Sequence, residues 1–202
     1  MKIHFILIFI LTLLLNLSFV KAQLTTSNKT TSIVDTIADH EFHQAWLEFS
    51  KAILNQDLKS IKSLSSDCIL CSDCVVNTPT EDSAFKEFQE KNPDLWYDKL
   101  YNEFCYVNID KFLAEDLNLI FNEKVKSRLL DKTKINYADN KHNSKAYTQS
   151  CIIGRLQSSQ YEFKEVLLSY IDPIPKFEGS QWTFAFVKVN GKYKFCGFAT
   201  IP

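Results

Sequence analysis

From Asp39 onward apolar residues recur at spacings of three and four. Phe42, Ala45, Trp46, Phe49, Ala52 and Ile53 form one stripe, which predicts an amphipathic helix. Asn55, Gln56 and Asp57 interrupt it, and Asp57 is placed to cap a short second helix whose inward face is Leu58, Ile61 and Leu64. The stretch Cys68–Val76 is apolar and β-branched at its end, and reads as a strand or an extended connection. Thr80 is the expected cap of a helix that opens with Glu81 and Asp82 and carries Phe85 and Phe88 inward. Asn92-Pro93 stops that helix and starts another, with Pro93 at its first position and Trp96, Lys99, Leu100 and Phe104 following. The stripe Ile109, Phe112, Leu113, Leu117, Ile120, Phe121, Val125 and Leu129 fits one long helix or two joined near Asn122.

After Asp131 the period changes from helical to alternating. Residues 134–137, 146–156, 161–171, 181–189 and 192–201 are extended candidates separated by Asn, Gly, Ser and Pro. Asp172-Pro173-Ile174-Pro175 must end its strand, because proline cannot donate to a ladder. Asn190-Gly191 accepts the positive φ angles of a type I′ turn, so the last two strands form a hairpin. Its register sets Val189 against Lys192, Lys188 against Tyr193, Phe186 against Phe195 and Phe184 against Gly197. Trp182, Phe184, Phe186, Tyr193 and Phe195 then share one face, and Ala185, Val187, Cys196 and Phe198 share the other. The first face needs a layer of helices over it. Helices first and strands afterwards predict an α+β fold: N-terminal helices packed on a curved antiparallel sheet that ends in a β-hairpin.

The N-terminus is of another kind. A basic start is followed by an apolar run from Phe5 to Leu15, and Val20 and Ala22 lie at −3 and −1 before Gln23. This predicts a secretory signal peptide over residues 1–22, too short in its fully apolar part for a membrane anchor. Residues 23–38 follow as a flexible Ser/Thr-rich leader, and residues 39–202 as a single globular domain. Asn28 opens a glycosylation sequon, which would carry no weight if the source were a bacterium. Loss of Lys2 and Lys21 takes the net charge from −1 to −3. So small and mixed a charge, with no basic stripe, argues against nucleic acid as a partner. After cleavage no stable membrane span is expected, and the location is periplasmic or extracellular. Lysine, asparagine and isoleucine are frequent and arginine nearly absent, a bias that resembles the AT-rich genomes of the Bacteroidetes.

The opening helix with Phe42, Trp46 and Phe49, the short second helix capped by Asp57, and the closing hairpin from Gly191 to Phe195 together resemble the nuclear-transport-factor-2-like, or SnoaL-like, superfamily. The likeness covers about residues 40–202 and is strongest to secreted Bacteroidetes members. It implies a curved sheet wrapped around helices as a cone, which in some members holds a small ligand and in some performs isomerase, cyclase or dehydratase chemistry. Under that resemblance Trp182, Phe184, Phe186, Tyr193, Phe195 and Tyr170 are the candidate pocket residues, and a small apolar ligand or another exported protein is the expected partner. An enzyme needs convergent polar groups in the cone. Asp172, Glu165, Tyr170 and Tyr147 are available, in no catalytic spacing. His40 and His43 lie three apart near a helix start and His142 stands alone, so neither a metal nor another cofactor is expected.

Six cysteines remain after cleavage: Cys68, Cys71, Cys74, Cys105, Cys151 and Cys196. In an exported chain an even count favours disulfides, at most three bridges with fifteen possible pairings. Buried free thiols are a second possibility. Redox chemistry at Cys71-Ser72-Asp73-Cys74 is a third, and a metal held by Cys68, Cys71 and Cys74 a fourth. In a strand those three do not converge, because Cys71 faces away from Cys68 and Cys74. The expected role is therefore non-catalytic binding or scaffolding, with an enzyme of the cone-shaped superfamily or a thiol protein as alternatives.

Overall fold

The computed structural model describes residues 40–139, 161–172, 174–176 and 179–201. The expected signal peptide, leader, strand 146–156, His142, Tyr147 and Cys151 lie outside them. The chain divides into two compact units, residues 1–43 and 44–202. Residues 40–54 form helix α1, whose residues from Gln44 onward belong to the second unit.

The second unit is α+β, with a mixed, unclosed six-stranded sheet. Helix α2 (Leu58–Ser63) leads to strand β1 (Ser65–Cys71) and a 3-10 turn (Asp73–Val75). Helix α3 (Pro79–Lys91) and α4 (Trp96–Lys99, continued by a π-type turn Leu100–Phe104) precede β2 (Tyr106–Asn108). Then come α5 (Ile109–Lys111), a π-type turn (Phe112–Asp116), α6 (Leu117–Ile120) and α7 (Glu123–Lys126). Strands β3 (Ile135–Asp139), β4 (Phe163–Ile171), β5 (Ser180–Val189) and β6 (Lys192–Ile201) close the chain. The sheet order is β2-β1-β6-β5-β4-β3, and among the described strands only the neighbours β1 and β6 run parallel.

Local chemistry sets most boundaries. Asp57 caps α2 by accepting from the Ser60 amide at 3.1 Å. The cap of helix α3 lies two residues before Thr80, the expected cap. Thr78 caps it instead, with Pro79 at the first helical position and Glu81 completing a capping box. Pro93 does not open the next helix; residues 93–95 are a turn and α4 starts at Trp96. The long stripe is broken where Asn122 caps α7 by accepting from Lys124 and Val125. Leu58, expected inward, is exposed, while Ile61 is buried.

Asn190 and Gly191 take φ of +50° and +76°, and the hairpin pairs Val189 with Lys192, Lys188 with Tyr193 and Phe186 with Phe195. Beyond that a bulge intervenes. Phe184 pairs with Phe198, and Gly197 lies opposite Ala185, because Cys196 is an extra residue in β6. The slip turns Phe198 onto the face of Phe184, where the rings are 5.3 Å apart.

Both faces of the sheet are buried here. On the first, Trp46 and Phe49 of α1 meet Phe184, Phe186 and Phe195, with centroid separations of 4.7–6.1 Å among Trp46–Phe184, Trp46–Phe186, Phe49–Phe186 and Phe49–Phe195. Phe121 stacks on Phe184 at 5.5 Å, and Phe112 lies 6.0 Å from Phe195. On the second, Cys68, Leu70, Cys105, Phe163, Ala185, Val187 and Cys196 form a cluster against which Phe85, Leu100 and Phe104 pack. The helical insert between β1 and β2 thus supplies a second covering layer.

Candidate functional site

The aromatic residues expected to line a pocket are packed. Trp182, Phe184, Phe186, Tyr193 and Phe195 are buried. Tyr170 is half-buried, stacks on Trp182 at 4.6 Å and carries the Lys124 ammonium over its ring at 4.7 Å. None of the six lines either of the two cavities described next. Of the polar groups named with them, those described do not converge: Asp172 pairs with Lys134 at 2.5 Å, and Glu165 faces Ala185 and Ala138 across its neighbouring strands. His40 and His43 are both exposed.

One cavity, of about 150 Å³, lies between Ile53, Gln56, Leu58, Leu117 and Phe121. The other, of about 180 Å³, has more chemistry. Its floor is Cys71, Cys74 and Val107, all buried; Phe104 and Tyr106 form walls; Ala84, Asn108 and Lys111 make an exposed rim. Cys71 ends β1 and Cys74 lies in the 3-10 turn that follows, and the two are joined by a disulfide. The Cys74 amide donates to Cys71 Sγ at 3.1 Å, and the Cys71 amide donates to the Cys105 carbonyl at 2.8 Å. Between the cysteines, Asp73 accepts from Thr200 Oγ1 and Ser72 Oγ, which pins the turn to β6.

Beside the floor are two buried carboxylates. Glu81 Oε1 accepts from Lys111 Nζ at 2.9 Å, and Oε2 accepts from the amide and hydroxyl of Thr78, each at 3.1 Å. Asp116 is fully buried; its Oδ1 accepts from Asn77 Nδ2 at 3.0 Å, and its Oδ2 has no donor among the described residues. Burial lifts the Asp116 carboxyl to about 6, with the charge of Glu81 adding to the rise and Asn77 and Lys111 opposing it.

The cysteines divide into two classes. Cys71 and Cys74 are bonded to each other, and Cys68 is also in a disulfide, with a partner outside the described residues. Cys105 and Cys196, expected among the bridged cysteines, are free thiols buried in the second cluster. Burial raises Cys105 to about 11 and Cys196 well above the ordinary thiol value, so both are neutral and poorly nucleophilic. Among the described residues no three His, Cys, Asp or Glu side chains are grouped to hold a metal, and no helix is long and apolar enough to cross a membrane. Periodicity could not place Glu81 and Asp116 together. The legible signal was Thr78-x-x-Glu81, a capping box that buries a carboxylate.

Comparison of the chain with protein-family models, curated proteins and solved structures finds no match.

Proposed function

We propose that the chain is an exported α+β domain with a binding or scaffold role, built on the cone-type architecture of the nuclear-transport-factor-2-like superfamily. The observation that carries this reading is the filling of the aromatic sheet face. Trp46, Phe49, Phe112 and Phe121 occupy the space over Phe184, Phe186 and Phe195 that a ligand-holding cone leaves open. A domain filled in this way recognises partners with its surface, and another exported protein is the partner class it fits better than a small apolar ligand. The order of helices before a long-stranded sheet, and the closing hairpin, support the architecture. The Cys71–Cys74 bond is in keeping with an oxidising compartment outside the cytoplasm.

An apolar fluorescent dye titrated into the folded protein tests the filled face. No saturable binding is expected below the unfolding transition. Saturable binding that a fatty acid displaces, and that Phe186→Ala alters, overturns the reading and returns the chain to the ligand-holding or catalytic members of that superfamily.

A further inference from the structure

Helix α3 is thirteen residues long, yet Glu81 is its only buried side chain, and α4 buries none. The part of α1 from Gln44 onward, by contrast, buries Trp46, Phe49, Ala52 and Ile53, as a helix does when its apolar stripe meets a core. The apolar side chains of the insert instead form a connected run of rings. Phe88 lies 4.7 Å from Phe104, Phe104 5.7 Å from Phe85, Phe85 5.8 Å from Trp96, and Trp96 5.6 Å from Tyr97. At its inner end Phe85 and Phe104 pack on the second cluster of the sheet. Its outer end passes through half-buried Trp96 to Tyr97, which is 64% exposed, next in the chain to Leu95, which is 54% exposed with it. Aromatic side chains gathered at a surface are what protein interfaces are enriched in, and their hot spots above all.

The charge of the same segment is one-sided. Residues 79–104 contain seven carboxylates and three lysines, in a chain whose net charge is only −1. Lys111, from outside the segment, meets buried Glu81. Lys86, Lys91 and Lys99 pair with Asp82, Glu87 and Glu103 of the segment itself, at 2.6, 2.5 and 3.9 Å. The excess of acid therefore lies at the exposed tip, where two carboxylates bracket the apolar residues as Asp94-Leu95-Trp96-Tyr97-Asp98.

We propose that this outer face of α3 and α4 is the docking surface for a segment of another exported protein that carries arginine beside apolar side chains. The proposal rests on the surface-recognition reading above and names its face. Apolar side chains of the partner cover Leu95 and the rings, while its cations meet Asp94 and Asp98. Arginine fits better than lysine, because a planar guanidinium both stacks on an aromatic ring and takes a carboxylate in a fork. A second copy of this face fits poorly, since two-fold pairing sets the acidic tip against itself. An anionic lipid surface is repelled for the same reason.

The test titrates the full folded chain with a short synthetic peptide of arginine, leucine and serine. Trp46 and Trp182 are buried and Trp96 is not, so acrylamide quenching of tryptophan emission reads this face. The peptide is expected to bind saturably, to protect Trp96 from the quencher and to lose affinity severalfold as salt rises. Leu95→Ser with Tyr97→Ser, and separately Asp94→Asn with Asp98→Asn, should each weaken binding severalfold while melting as the wild type does. Leu119→Ser, an exposed apolar change on α6, should not. Binding that survives both double variants, or that is unchanged when serine replaces leucine in the peptide, overturns the proposal, and equal binding of a lysine peptide overturns the choice of arginine. Dimerisation that Leu95→Ser abolishes gives the face to a second copy, and adsorption to phosphatidylcholine vesicles that the same change abolishes gives it to lipid; either overturns it. The dye titration at the hairpin face responds to Phe186→Ala and not to these variants. Absence of both peptide and dye binding overturns this docking face alone, whereas saturable dye binding removes the surface-recognition reading whatever the peptide does.

Discussion

Phe186→Ala gives the most direct measure of whether the hairpin face is filled. Phe186 is 1% exposed, pairs with Phe195 in the ladder and stands 6.1 Å from Trp46, 5.6 Å from Phe49 and 5.8 Å from Phe195, all edge to face or nearly so. Truncation removes the ring from a packed site and leaves a cavity walled by three aromatic side chains, whose α1 and β6 backbones cannot collapse inward. Such a change costs about 3–5 kcal/mol, and three lost ring contacts put this site toward the upper end. For a domain of this length about 1 kcal/mol shifts the melting temperature by roughly 2–4 °C, so a fall of about 10–15 °C is expected. Lys194→Ala, at a half-buried position on the opposite face, should stay within about 0.5 kcal/mol of the wild type. Thermal and urea melts followed by circular dichroism read both, and the urea slope shows whether the folded state stays compact. A Phe186→Ala protein that melts within about 2 °C of wild type refutes the filled face. A normal melt combined with new dye binding shows a ring lining open space.

Asp116→Asn should stabilise the protein at neutral pH. Burial raises the folded-state carboxyl to about 6 from 3.8, so the folded protein binds more protons than the unfolded chain between those values. The contribution of Asp116 is fully present below the unfolded value and is lost as pH rises through about 6. Asparagine does not ionise, so urea midpoints should favour the variant by about 2 kcal/mol near pH 7.5, with the gap closing toward pH 4; a gap that does not change with pH sinks the carboxylate pair. Alkylation in denaturant without reductant should label Cys105 and Cys196 and spare Cys68, Cys71 and Cys74, and label on Cys71 or Cys74 in freshly isolated protein contradicts the bridge. Mass spectrometry of protein recovered from the producing organism should find Gln23 at the N-terminus, and an intact Met1 there removes the signal peptide.

Local rules carried much of the fold because they concern neighbours in sequence. The Asn190-Gly191 turn was legible since those residues tolerate φ of +50° and +76°, and the α1 stripe since its residues repeat at helical spacing. Side-chain capping was legible in kind but not always in place: Asp57 caps α2 as expected, whereas Thr78 and not Thr80 caps α3, because Glu81 completes the reciprocal bonds only from Thr78. The three-residue strand β2 fell unassigned between two helical readings, since Tyr106–Asn108 is too short to show a period and is extended because β1 lies beside it. The Cys196 bulge likewise has no local signature; it exists because β6 pairs with β5 on one side and with β1 in parallel on the other, and both ladders must close. The filling of the aromatic face depended on where α1 and α6 settle, and the cleft over Cys71 and Cys74 on an insert returning from residues 79–104 to the far side of the sheet. Spacing along the chain told which side chains could share a face. Only the packing of elements far apart in sequence decided which faces meet, and therefore which carboxylate is buried.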